Sequence, residues 1–149
     1  MTSFITLTVE PTATAPALTL RPWQGTDIPA IVAAYRDEAM RRWLVSVVGH
    51  FDIKAASPPE TLATSVGYWT AAQARGTGIA SRCVETATEW LFGGQDIMPA
   101  DEIELIHAVG NEGSCRVAQK CGYALESVLT PMPPKFPNEG HRHLRRRRA

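Results

Sequence analysis

The run Val66-Gly67-Tyr68-Trp69-Thr70-Ala71-Ala72-Gln73-Ala74-Arg75-Gly76-Thr77-Gly78-Ile79-Ala80 constrains the fold of this 149-residue chain most strongly. Its first part belongs to a β-branched and aromatic strand over residues 64–70, and from Ile79 the periodicity turns helical, with Val84, Ala87, Trp90 and Leu91 spaced to face a core. Gly93-Gly94 closes that helix, and residues 102–109 form the next strand. A strand, a glycine loop, a helix and a second strand make a βαβ-like unit, which places a sheet at the centre of the fold. The loop also has a chemical meaning. Amides at a helix N-terminus lack intrahelical partners and lie at the positive end of the macrodipole, so they favour an anion. Gly76 and Gly78 let backbone approach such a ligand.

Three readings of the loop compete on residue type alone. It can be an ordinary strand-to-helix turn. A dinucleotide fingerprint needs a third Gly or Ala where Ser81 stands, with an acidic residue after the next strand where Asn111 lies. A P-loop needs Gly-Lys-Ser/Thr, which is absent.

The remaining elements complete an α/β (α+β mixed sheet) pattern. Residues 5–9 and 17–23 alternate as strands. Thr26-Asp27 then leads a helix to about Arg42, with apolar positions at Ile28, Ile31, Val32 and Tyr35. Residues 44–53 form a strand paired as a hairpin with 64–70. Asn111 caps a helix that stops at Gly122, residues 123–129 form a last strand, and the prolines from Pro131 onward argue against regular structure. The order is β(β)αββ followed by αβαβ, antiparallel first and βαβ-like second.

Size and composition fit one soluble domain spanning 1–149, with 44% apolar and 20% charged residues. No apolar run approaches the roughly 18–20 residues that cross a bilayer, and no signal-peptide pattern opens the chain, so a cytoplasmic location is expected. All 15 acidic residues lie at or before Glu139, whereas Arg142, Arg145, Arg146, Arg147 and Arg148 follow it. Such a tail (142–149) reads as a solvated end more readily than as a nucleic-acid contact. Cys83, Cys115 and Cys121 show no Cys/His spacing typical of zinc, so reduced core thiols and no metal are expected.

Two motifs together carry a family resemblance. Gln73-Ala74-Arg75-Gly76-Thr77-Gly78 matches the pyrophosphate-binding pattern Q/R-x-x-G-x-G/A of GNAT acetyltransferases. The stretch from Asn111 through Ser114, Val117 and Lys120 to Gly122-Tyr123 resembles the N-x-x-S-x-x-V-x-x-K-x-G-Y/F stretch of the RimJ/RimL-like subgroup. The resemblance covers residues 17–129 with one gap. Between Trp43 and Leu44 relatives have a further helix and strand that form one wall of the acceptor pocket, so the expected fold is GNAT-like, less one helix and one strand.

The resemblance implies an acetyl-CoA-dependent N-acetyltransferase acting on a primary amine, either a protein N-terminus or a small molecule. It implies that the backbone of Trp69 and Thr70 meets the acyl and pantetheine groups. Gln73, Arg75, Gly76, Thr77, Gly78, Ile79 and Ala80 would then surround the diphosphate, with Asn111 touching the cofactor. Ser114 is the implied proton donor to the departing thiolate, whereas plain capping is the alternative for Asn111 and Ser114. Relatives often carry Glu where Ser65 stands, so the base must lie elsewhere. His107 is the nearest group with a suitable pKa, against a hydrogen-bonded core role; Glu126, His141 and His143 are further candidates, and water can also take the proton. A cofactor-binding module with little catalysis is the competing function. A missing pocket wall would expose an edge or apolar surface, which favours a homodimer.

Overall fold

The computed structural model of the chain describes residues 5–36 and 48–149, with side chains throughout except at 33–36. Strands β1 (Leu7–Val9) and β2 (Leu18–Leu20) form an antiparallel pair. Helix α1 (Ile28–Arg36) follows, then β3 (Gly49–Lys54), β4 (Thr64–Thr70), α2 (Ile79–Phe92), β5 (Glu102–Ala108), α3 (Glu112–Lys120), β6 (Ala124–Leu129) and β7 (Gly140–Arg146). The five later strands form one sheet in the order β3-β4-β5-β7-β6. Strands β4 and β5 run parallel with α2 between them in sequence, while β7 is antiparallel to both β5 and β6. The mixed α/β sheet and the βαβ unit are as expected from sequence. Residues 37–42 of the expected first helix, the start of the strand at 44–47 and the junction of Trp43 with Leu44 lie outside the described residues.

The chain divides into two compact units, residues 1–51 with 68–83, and 52–67 with 84–149. In the first, α1 is entered through a 3-10 turn at Gly25–Asp27. Asp27 does not cap forward into the helix as the sequence pattern implied. Its carboxylate is buried and faces back, gripped by Arg21 Nη1 and Nη2 at 2.7 and 2.8 Å and by the Gln24 amide at 2.8 Å. The Arg21 hydrogen bonds, then the Gln24 amide, hold the Asp27 carboxyl down at about 2. Arg82 fastens α2 to the chain near β1 by donating to the carbonyls of Glu10 and Pro16 at 2.6 and 2.7 Å.

The second unit holds the larger core, including Val84, Leu91, Ile103, Leu105, Tyr123 and Leu144. Helix α3 ends in a left-handed glycine. Gly122 has φ +71°, the Tyr123 amide donates to Ala118 O at 2.9 Å and the Gly122 amide to Gln119 O at 3.1 Å, which satisfies two terminal carbonyls. The Gly-Tyr of the second motif therefore has a packing role. Tyr123 is fully buried, and its hydroxyl lies 2.6 Å from Thr88 Oγ1, which itself donates to Val84 O at 2.7 Å. Burial pushes the phenol up to about 12.

The end of the chain departs from expectation. Irregular structure was expected beyond Pro131, yet Gly140–Arg146 is a strand in the interior of the sheet. Four of the five arginines expected in a loose tail are ion-paired: Arg142 with Glu104 at 2.6 Å, Arg145 with Glu85 at 2.8 Å, Arg146 with Glu102 and Glu126 at 2.7 and 3.2 Å, and Arg147 with Asp101 at 3.4 Å. The basic excess is thus largely matched within the same unit. Among the described residues, no helix is long and apolar enough to cross a membrane.

Candidate active site

The glycine loop takes the conformation that its residues demand. Gly76 and Gly78 have φ of +76° and +77°, a region that L side chains rarely enter. Apart from chain neighbours, no atom of the described residues lies within 4 Å of where a Cβ would stand at either position. The requirement at these two points is therefore conformational rather than steric. The first backbone bond of the α2 ladder runs from Arg82 N to Gly78 O at 3.1 Å. The amides of Ile79 and Ala80 come before that bond, at the positive helix end.

Side chains brace the loop. Arg75 Nε donates to Thr70 O at 3.0 Å, joining the loop to the end of β4, and Thr77 Oγ1 donates to Ala74 O at 2.7 Å. Gln73, Arg75 and Thr77 are exposed, while Trp69 and Thr70 are half-buried. In the same unit Trp69 stacks at 6.3 Å on His50, which stacks at 5.4 Å on Trp23 and accepts from its Nε1 at 3.0 Å. Trp69 is thereby held by aromatic neighbours.

In the other unit, Asn111 caps α3 as its residue type predicted. Its Oδ1 accepts from the Ser114 amide at 3.2 Å. Ser114 is half-buried in the first turn, and among the described residues no hydrogen bond occupies its hydroxyl. Gly110, with φ +91°, turns the chain from β5 into this cap.

His107, the sequence candidate for the base, has both ring nitrogens engaged. Nδ1 lies 2.9 Å from Ala108 O, and Nε2 lies 3.2 Å from His143 Nε2 and 3.4 Å from Cys115 Sγ. His141 joins the same cluster through Nδ1, 3.3 Å from Cys115 Sγ. Burial lowers the pKa of His143, and the neighbouring His107 and His141 lower it further. Glu126 pairs with Arg146 instead of standing free. Cys83 and Cys121 are buried thiols as expected, and burial pushes Cys121 up to about 11. Cys115 is not a core thiol, because three imidazoles surround it.

Ser65 is buried and stands in register with Glu104 of β5. Alternation would put Glu104 in solvent, but this central strand is covered on both faces and the residue is fully buried. Its Oε2 accepts from Arg142 Nε at 2.6 Å and its Oε1 from the Leu62 amide at 3.1 Å. No local sequence signal marks this pair.

A family model described as an acetyltransferase (GNAT) domain matches residues 46–124, more than half of the chain, and includes the glycine loop, Asn111 and Ser114. The chain belongs to the GNAT acetyltransferase family. No curated protein matches it in sequence. Among solved GNAT-like structures, the acetyl transferase of Salmonella typhimurium that modifies the N-terminal serine of ribosomal protein L7/L12 superposes with a TM-score of 0.68 at 17% identity, covering 95% of this chain and 99% of that one. The L7/L12 acetyltransferase RimL in complex with coenzyme A gives 0.68 at 16% identity, over 93% and 97%. A Bacillus anthracis GNAT acetyltransferase gives 0.57 at 17% identity over 68% of this chain, which spans 59% of that protein. At these identities the likeness is one of fold.

Proposed function

We propose that this GNAT domain transfers an acetyl group from acetyl-CoA to a primary amine. The observation that carries this reading is the turn at Gly76 and Gly78. Both glycines hold positive φ just ahead of a helix N-terminus, and among the described residues nothing but their chain neighbours lies within 4 Å of where their Cβ atoms would stand. In this reading Gly76, Thr77, Gly78, Ile79 and Ala80 offer main-chain amides to the diphosphate, assisted by Gln73 and Arg75. The backbone of Trp69 and Thr70 lies along pantetheine and the acyl group, and Asn111 adds a cofactor contact.

The neutral amine attacks the thioester carbonyl carbon. A C–N bond forms and the C–S bond breaks, with the electron pair leaving on sulfur. Ser114 donates its hydroxyl proton to that thiolate and is reprotonated by water, since among the described residues no hydrogen bond occupies its hydroxyl. The proton of the amine passes to water rather than to His107, whose nitrogens are occupied. The acceptor is a protein N-terminus or a small amine; the RimL-like folds, which act on L7/L12, make a protein N-terminus the first to try. A thiol-release assay with acetyl-CoA and an amine panel tests the reading, and a folded protein that turns over no amine contradicts it. Ser114→Ala should lower the rate about 10²-fold while retaining cofactor affinity; an unchanged rate removes Ser114 from the mechanism.

A second reading is an acyl-CoA-binding module with little catalysis. It is favoured by Ser65, a buried non-titrating residue where relatives often carry Glu, and by the engagement of Glu104 with Arg142. Coenzyme A binding by calorimetry without acetyl transfer would select it.

A further inference from the structure

Strand β7 carries His141 and His143 two positions apart, so both project from one face. Its antiparallel partner β5 sets His107 directly opposite His141. Helix α3 then brings Cys115 to the same place. Cys115 Sγ lies 3.4 Å from His107 Nε2, 3.3 Å from His141 Nδ1 and 3.9 Å from His143 Nε2, while the Nε2 atoms of His107 and His143 are 3.2 Å apart. All four potential ligand atoms fall within 4.8 Å of one another.

We propose that His107, Cys115, His141 and His143 form a tetrahedral site for one divalent transition-metal ion, with zinc the cellular occupant. Zn–S bonds of about 2.3 Å and Zn–N bonds of about 2.0–2.1 Å at tetrahedral angles place sulfur about 3.6 Å from each nitrogen, and nitrogens about 3.4 Å from one another. The three observed sulfur–nitrogen separations bracket the first value, and the His107–His143 pair at 3.2 Å lies close to the second. A thiolate with three imidazoles is also a donor set that suits zinc over calcium or magnesium, which take oxygen ligands.

Hydrogen bonding alone accounts poorly for the arrangement. One S–H can serve one nitrogen, yet three nitrogens converge on the sulfur. A carbonyl only accepts, so the 2.9 Å contact with Ala108 O fixes the His107 proton on Nδ1 and turns the Nε2 lone pair inward. That is the outer support found behind metal-bound histidines. A cation takes an electron pair from all four groups at once. With four protein ligands the site is closed, which marks a structural ion rather than one that activates water. It would clamp the first turn of α3, where Ser114 lies, onto β5 and β7. The site stands whether or not the chain transfers acetyl groups.

The test uses the full chain, stripped by a chelator and titrated with cobalt(II). Saturation at one equivalent is expected, with the strong visible absorption of a tetrahedral ion and a near-ultraviolet thiolate charge-transfer band, both abolished by added zinc. Cys115→Ser should remove the charge-transfer band. His141→Gln should weaken binding by more than the roughly 10–100-fold that loss of a mere outer partner costs. A weak octahedral spectrum, no saturation at one equivalent, or a charge-transfer band that survives Cys115→Ser would overturn the proposal. If the variants do not fold, X-ray absorption of the zinc-loaded native chain decides: one sulfur near ~2.3 Å with three nitrogens near ~2.0 Å supports the site, and an oxygen-only shell refutes it.

Discussion

Replacing Arg142 with Met should destabilise the protein strongly, because it breaks a buried ion pair from one side. Glu104 is fully buried, and its carboxylate has two partners, Arg142 Nε at 2.6 Å and the Leu62 amide at 3.1 Å. Arg142→Met leaves a buried charge with one neutral donor. Breaking a buried pair from one side costs about 3–5 kcal/mol, because the remaining charge keeps its desolvation penalty without the compensating attraction. For a chain of this length about 2–4 °C of melting temperature corresponds to each kcal/mol, so a fall of roughly 6–20 °C is expected. The double variant Glu104→Met with Arg142→Met removes both charges and should recover most of the loss, since apolar replacements of whole buried pairs are often neutral or stabilising. Thermal or urea unfolding of the four proteins in the cycle reads the coupling directly. A double variant as unstable as Arg142→Met alone would refute the reasoning and point to lost packing around the arginine stem.

Two further outcomes follow from the geometry. The Asp27 carboxyl is held at about 2, below its ordinary 3.8, so the native state resists its protonation; its stabilising contribution is complete above pH ~4 and fades as pH falls towards 2, because the unfolded state binds the proton first. Asp27→Asn should therefore flatten the acid limb of the stability curve between those limits, and an unaltered limb would exclude the Arg21 pair as its source. Tyr123→Phe deletes a buried hydroxyl whose partner, Thr88, keeps its bond to Val84 O, so a modest loss of about 1 kcal/mol is expected by urea unfolding; a loss several times larger would mean that the ring itself had moved.

What the sequence disclosed was local. The helix from Ile79 to the double glycine, the cap at Asn111 and the stop at Gly122 are each written within a few residues, and the structure has all three. What it concealed was long-range. The alternating His141-Arg142-His143-Leu144 is a period-two pattern, but prolines before it and arginines after it make it look like a solvated end. Its charges are answered by Glu85, Glu102, Glu104 and Glu126, far away in sequence. Cys115 met its histidines for the same reason. Spacings of 8, 26 and 28 residues form no linear metal motif, and only the pairing of β5 with β7 brings the ring nitrogens together.

Calorimetric titration of the folded chain with coenzyme A and, separately, with pantetheine tests the central claim most directly. If the turn at Gly76 and Gly78 grips the diphosphate, coenzyme A binds with one-to-one stoichiometry and pantetheine binds at least about 100-fold more weakly, since two or more charge-assisted amide bonds of roughly 1.5–3 kcal/mol each are forfeited. No heat with coenzyme A, or equal affinity for the two ligands, would contradict the account.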